Sequence, residues 1–539
     1  MPFGFSIRKA LGLTPAQQQE PAPMRRRSYG GAMLSRLTAD WISQGTSQDA
    51  EARSSLIILR NRARQLVRDS DYARQAVRAF RNNVVGTGVQ FQSQVRMQRG
   101  GGRLDTGLND AIEKAWGEWC RKDSVDVAGL LCFSEIERLA ISSVVTDGEV
   151  FIRLYRQSVG RSKVPLALQV IEADLLDDNY NGVGENGNEI RMGVEVSQDF
   201  RRPVAYWFFQ KHPGDYQYGQ KGNPYQKRIR VPAEEVIHLY MVERPGQTRG
   251  VSHFCSALQT IHHMDGFAES ELISARAGAA LMGFVTSPEG SFPEDDVMDG
   301  QRVLDWSPGQ WKYLAPGESV EVPNMQRSDN FEPFMRQCLR SVAAGLGVSF
   351  ETVSRDYSQT NYSSSRLSLL EDRDNYRAIQ SWLIENLHQT IYDKWLDMAA
   401  LSGVLNLPRY AEDPTYYNCP RWLPRGWAWV DPQKEISAYK DAVRCGFKTQ
   451  ADVIAEGGGD LEEIFTARAR EIELAQEMGL VFDTDSAAVN DKGQEQVPAT
   501  EPPADPNATT PPPEAPMPAA VAAPPAKPPV KKPTPPKKP

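Results

Sequence analysis

The chain has 539 residues, and at roughly 150 residues per domain that is too long for one ordinary domain or a small disulfide- or zinc-stapled module. Hydrophobic residues make up 40% and charged residues 24%, with 11 tryptophans, so large apolar cores are expected. The net charge of −8 excludes a protein living wholly on the phosphate backbone, and any contact with nucleic acid has to be local.

The 6 cysteines, Cys120, Cys132, Cys255, Cys338, Cys419 and Cys445, stand singly with no C-x-x-C pair, which predicts reduced, mostly buried thiols. Arg8 and Lys9 are followed by no apolar stretch of the secretory kind. The best membrane-span candidate, Leu272 to Val285, is interrupted by Arg276, so a soluble protein is expected.

Residues 1–100 carry 16 basic and 6 acidic side chains, which leaves about −18 for the remainder. A flexible basic arm is expected over residues 1–36, with the triplet Arg25, Arg26 and Arg27. The first periodic signal, Leu59, Ala63, Leu66, Ala73, Val77, Phe80 and Val84, predicts one long helix or two in series. Ser70 is placed to cap a restart, and Gly86 and Gly88 stop the run. The other face carries Arg60, Arg64, Arg68, Arg74, Arg78 and Arg81, read as solvated or subunit-pairing, with phosphate contact as the alternative. Leu108, Ile112, Ala115, Trp116 and Trp119 predict the next helix, and Ser134 with Glu137 reads as a capping box opening a third.

From Gly148 the period becomes two, in Val150 to Leu154, Leu166 to Ile171, Met192 to Val196 and Val204 to Phe208, with turns at Asn181-Gly182, Asn186-Gly187 and Pro213-Gly214. A helix rich in small residues follows, through Phe254, Leu258, Ile261, Ala268, Leu272, Ala275 and Ala279. After a Gly/Pro-rich insert with a short strand at Val320 to Val322, a second helix is expected over Phe331 to Leu346. The polar run Ser354 to Arg366 reads as one exposed loop. A strong helix through Leu369, Tyr376, Ile379, Leu383, Leu387, Ile391 and Trp395 comes next, then short helices around Ile436 to Val443 and Leu461 to Met478. Residues 498–539 are about two-fifths proline and are expected to stay disordered or adopt polyproline II.

The catalytic signals are weak. There is no phosphate-cradling G-x-x-x-x-G-K-[ST] run, and Gly86-Thr87-Gly88 lacks the third glycine of a dinucleotide site. His262 and His263 are adjacent and point about 100° apart on a helix, so they do not chelate one metal together. Ser437 and Lys440 fit a serine–lysine pattern whose partner motifs are missing, and Asp177-Asp178 and Asp295-Asp296 read as turn residues. Neither a cofactor nor a metal is expected, and the chain is read as no enzyme.

Several local runs resemble the lambda family of tailed-phage portal proteins. They are Arg68-Asp69-Ser70-Asp71-Tyr72-Ala73-Arg74-Gln75-Ala76-Val77-Arg78 leading into Asn82-Asn83-Val84-Val85-Gly86-Thr87-Gly88, then Asp147-Gly148-Glu149-Val150-Phe151. Trp429-Val430-Asp431-Pro432 and Gly446-Phe447-Lys448-Thr449 follow, in the same order and over roughly Ser35 to Leu480. The resemblance implies an α+β portal fold: a mixed wing over 37–249, a first stem helix over 252–282 and a small β-containing clip over 283–330. A second stem helix over 331–346, a tunnel loop over 347–367, a crown-like helical region over 368–480 and a disordered Pro/Lys tail over 481–539 complete it.

It further implies a dodecameric ring at one capsid vertex, in the virion and in the host cytoplasm during assembly. Double-stranded DNA would pass through it, with the terminase large subunit, capsid and scaffold proteins and a head–tail adaptor as partners and no membrane. Arg355, Tyr357, Gln359, Tyr362 and Arg366 would face the DNA as a band of weak donors. Ala257, Leu258, Ile261, Gly266, Leu272, Ala275, Ala279, Phe334, Cys338 and Val342 would pack the stem between subunits, although the same stripe equally fits burial within one subunit. The alternatives are a minor capsid or head-assembly protein without a channel and, from the enzyme class, a hydrolase using Ser437 and Lys440.

Overall fold

The computed structural model of the chain describes residues 45–98, 101–215, 227–279, 284–286, 297–298, 301–302, 319–321, 330–427, 432–457, 459 and 461–480, with single positions 36 and 40. The expected basic arm and Pro/Lys tail lie outside these residues, as do Asp295-Asp296 and most of the expected clip.

Two helices in series open the fold, α1 (Gln48–Asp69) and α2 (Asp71–Val84). The Ser47 hydroxyl caps α1 by accepting from Ala50 N–H, and extended Ser70 ends it by donating its N–H to Leu66 O at 2.7 Å. Short strands β1 (Gln90–Ser93), β2 (Arg96–Gln98) and β3 (Gly101–Leu104) lead to α3 (Thr106–Trp119) and α4 (Phe133–Asp147). The capping box of α4 is Cys132 with Glu135, two residues earlier than the expected Ser134 and Glu137. The sequence pattern favoured the wrong register because Glu137 is needed elsewhere: it is a fully buried acid inside the helix.

Strands β4 (Glu149–Tyr155), β5 (Ala167–Ile171), β6 (Gly182–Val183), β7 (Glu189–Arg191), β8 (Val194–Val196), β9 (Pro203–Phe209), β10 (Arg228–Pro232) and β11 (Val236–Tyr240) form two antiparallel sheets, ordered β11-β4-β5 and β10-β9-β8-β7-β6. The alternation of β4 has a specific purpose: Val150, Ile152 and Leu154 enter the main core, while Phe151 enters a second core with Ile171, Val194, Tyr206 and Phe208. The strand is a partition between two apolar volumes. Gly148 precedes it with φ +94°, capping α4, and a Cβ there would lie 2.3 Å from the Val251 carbonyl carbon, so only glycine fits.

The first long helix of the expected stem is α5 (Leu258–Ala279), shorter than anticipated because residues 253–257 form turns. Of the insert, β12 (Phe284–Thr286) pairs antiparallel with β15 (Ser319–Glu321), and β13 (Val297–Met298) with β14 (Gln301–Arg302). Helix α6 (Phe331–Leu346) matches the expected bounds. Then come α7 (Phe350–Ser354), α8 (Tyr362–Leu383), a π-helical turn at Ile384–Gln389, and α9 (Thr390–Leu401). Strand β16 (Pro420–Leu423) pairs with β1, and α10 (Pro432–Arg444) and α11 (Gln450–Glu456) follow.

The expected wing and crown are not separate cores. Trp116 and Trp119 of α3 meet Trp395 of α9 with ring centroids 5.1 and 6.4 Å apart, and Phe91 of β1 stacks near Trp422 of β16 at 5.2 Å. Cutting either tryptophan to alanine is expected to cost about 3–5 kcal/mol. Compact packing of this kind runs to Gly459; a second unit, Asp460–Pro539, contributes α12 (Leu461–Met478).

Candidate functional site: the loop after α7

The run expected as one long exposed loop is shorter and more built. Gly347 ends α6 in the left-handed region, and Asn375 of α8 donates to its carbonyl at 2.7 Å. Ser349 then caps α7 by accepting from Thr352 N–H. Buried Asp372 of α8 reaches back: its Oδ1 accepts Ser349 N–H at 2.7 Å, and its Oδ2 accepts the Ser349 and Thr352 hydroxyls, each at 2.7 Å. α7 ends at Arg355, itself left-handed at φ 58°.

The loop proper is Arg355 to Asn361. Asp356 organises it, accepting Ser358 N–H at 3.0 Å and a guanidinium proton from Arg336 of α6 at 3.3 Å. These hydrogen bonds from Ser358, with Arg336 beside them, hold the Asp356 carboxyl below its ordinary range. Asn361 and Ser364 form a capping box that starts α8. The loop is therefore tied to α6 at one end and to α8 at the other.

Of the five residues expected on it, Arg355, Tyr357 and Gln359 are exposed loop residues. Tyr362, 58% exposed, is the first residue of α8, and Arg366 lies one turn further into that helix. Both correct the loop reading, because Asn361 and Ser364 supply caps that a polar run conceals. Arg366 sits 3.7 Å from Glu435 and so faces α10, whereas Arg355 makes no ion pair among the described residues.

The expected stem-packing residues divide in two. Ala257, Leu258, Ile261 and Val342 are 6% exposed or less and belong to the core of their own chain, so they are not free to meet a neighbour. Their burial within one chain fits the second reading of the stripe, packing inside the subunit. Further along, Leu272 and Phe334 are 52% and 50% exposed, and Gly266 has open space around it. Ala275 and Cys338 are half-buried, and the side chain of Ala279 lies outside the description. Phe334 meets Phe267 at 5.2 Å between α5 and α6.

Two more expectations are corrected. Arg60 and Arg64 are not on a solvated face: buried Arg60 pairs with Glu149, Asp174 and Asp178, and Arg64 with Asp147, Glu172 and Asp174. Arg249 closes the network on Glu149 and Asp178, each at 2.5 Å. Burial alone would raise the Glu149 carboxyl, but the Arg249 guanidinium and the His238 hydrogen bond hold it well below its usual range. Asp177 does make a turn, accepting Asn179 N–H, but Asp178 is a core ion. A helical wheel cannot distinguish an arginine facing water from one facing buried acids, and this network was missed for that reason. Its one visible signal was the pair of acids flanking Gly148.

Ser437 and Lys440 are exposed side chains on α10. All six cysteines are free, and among the described residues no helix is long and apolar enough to cross a membrane.

Residues 34–380 match the family described as phage portal protein, lambda family. The chain is also 31% identical over 476 residues to the probable portal protein of Halomonas phage phiHAP-1, covering 86% of this chain and 90% of that one. The chain belongs to the lambda family of phage portal proteins. Portal protein B of Escherichia phage lambda is 24% identical over 511 residues, covering 87% of this chain and 92% of that one. Among solved structures, a chain from the neck of a native gene transfer agent particle aligns at 12% identity, covering 75% of this portal chain and 97% of its own, with a TM-score of 0.41. As a portal family member the chain is a structural, non-enzymatic component of the phage head and its head–tail connector.

Proposed function

We propose that this portal chain is one wedge of a closed dodecameric ring at a single capsid vertex, and that double-stranded DNA passes through the ring during packaging and ejection. Family membership carries the reading, and the anchored loop Arg355 to Asn361 gives it a physical form. A channel for sliding DNA has to hold each phosphate weakly, because every retained contact resists the next step. Arg355, Tyr357 and Gln359, repeated around a ring, would present a band of sparse donors that reads no sequence. Tyr362 at the start of α8 would stand at its edge, and Arg366 would support the crown through Glu435 instead.

In this reading the insert between α5 and α6 is the clip that docks the terminase large subunit and later a head–tail adaptor, while the wing and crown meet capsid and scaffold proteins. Assembly takes place in the host cytoplasm and the product resides in the virion. The test is DNA packaging by rings in which Arg355, Tyr357 and Gln359 are replaced by alanine. Rings of unchanged mass with altered packaging or DNA retention are expected, and wild-type packaging would remove the loop from the channel.

A further inference from the structure

Helix α5 is flanked by two clefts. One, of about 780 Å³, lies between α1 and α5, where Asp265 and Glu269 line it one turn apart on α5, with Arg62 and Asp69 of α1 and His262 and His263 of α5 on the same walls. Like charges at that spacing repel. Among the described residues neither is in an ion pair, although Arg62 lines the same cleft; Asp265 accepts only a long hydrogen bond from Ser70 at 3.4 Å. Burial pushes the Asp265 carboxyl up, against the smaller opposing effects of the Ser70 hydroxyl and His262. The stripe continues along α5 into Leu272 and Ile273, which are 52% and 57% exposed. Unpaired charge running into exposed aliphatic surface on one helix face is the composition of an unfilled interface.

The complementary surface is on the same chain. Arg340 of α6 is exposed and lies over the Phe350 ring at 5.7 Å, at the start of α7. Gln75 of α2 donates to Thr352 O of α7, and Arg78, one turn on, is exposed. Neither Arg340 nor Arg78 is in an ion pair among the described residues. A closed ring requires two different, mutually complementary patches on one chain, because its interfaces are heterologous.

We infer that the Asp265 and Glu269 side of the cleft between α1 and α5 receives the edge of a second copy of this chain formed by α2, α6 and α7, with Arg340 of α6 and Arg78 of α2 meeting Glu269 and Asp265. This rests on the ring reading above and adds to it the charged groups that fix which edge meets which. Each pair contributes modestly at an exposed edge, but the same pair recurs at every interface of the ring.

The test is charge reversal read by particle mass at low ionic strength. Glu269→Arg and Arg340→Glu each change an exposed side chain, and thermal melting of the variant chains checks that the fold persists. Each single reversal is expected to lower the ring fraction by roughly tenfold at matched concentration, and the double variant to recover it to within about twofold. The neutral variants Glu269→Gln and Arg340→Gln should fall between wild type and the reversals. Rings at wild-type yield in either single reversal, or no recovery in the double variant, would overturn the pairing and leave the ring reading standing. If the reversal at Arg340 instead spares the ring and impairs DNA retention, that arginine serves phosphate and the pairing is likewise overturned. A wild-type chain that never forms rings removes both.

Discussion

Asp372 and Ser349 are joined by two hydrogen bonds of 2.7 Å across the full span of the loop, one to the backbone N–H and one to the hydroxyl. The same carboxylate takes the Thr352 hydroxyl, so a single acid on α8 fixes the whole of α7. The loop Arg355 to Asn361 is thereby a short projection from two held ends.

Replacing Asp372 with alanine is expected to leave the part-buried Ser349 N–H without its acceptor, and the Ser349 and Thr352 hydroxyls with each other in place of the carboxylate, and to cost about 1–3 kcal/mol. Urea unfolding would read the loss. Hydrogen exchange should localise it to residues 349–361, and unchanged exchange there would show that the carboxylate does not anchor the loop.

The buried network around Glu149 predicts a larger effect. Glu149→Gln removes a charge from between buried Arg60 and Arg249 and is expected to cost about 3–5 kcal/mol, because it leaves two guanidinium groups away from water with only Asp174 and Asp178 to balance them. Thermal melting of the variant checks this. A shift no larger than that of a surface substitution would mean that the network is solvated.

The same network sets a pH dependence. The carboxyls of Glu149 and Asp174 are lowered in the folded state, Glu149 chiefly by Arg249 and Asp174 chiefly by Arg60, both against the opposing effect of burial. A depressed folded value means that the stabilisation is complete above the ordinary carboxylate range, about pH 4–4.5, and is lost as pH falls through the folded values. Burial lowers His238 and His253, so melting temperature should decline modestly as pH falls below about 6.5, then drop further below about pH 4 as the network carboxyls protonate, and Glu149→Gln should flatten that second drop.

Arg366→Ala is expected to be nearly silent, within about 1 kcal/mol, because its ion pair with Glu435 is part-exposed and 3.7 Å long. The melting curve checks stability, and packaging should match wild type; impaired packaging would return Arg366 to the channel.

Much of the fold is written in periodicity. The spacing of Leu59, Ala63 and Leu66, then Ala73, Val77 and Phe80, gave both helices, and Ser70 marked their junction. Phe331 to Leu346 was legible to the residue. The capping box of α4 was misplaced because Cys132 is an unusual cap and Ser134 an ordinary one. The loop was overextended because a polar run does not reveal that Asn361 and Ser364 cap each other. Least legible were the long-range acids: Asp372, Glu149 and Asp178 look like surface residues locally and become buried partners only through segments from 20 to over 100 positions away.

The central claim concerns shape, and electron microscopy of the purified chain tests it most directly. The account predicts turbine-shaped rings with an axial hole and twelvefold averages, with the loop after α6 nearest the axis. A particle that stays a monomer or dimer at high concentration, or an assembly with no axial hole, would contradict it.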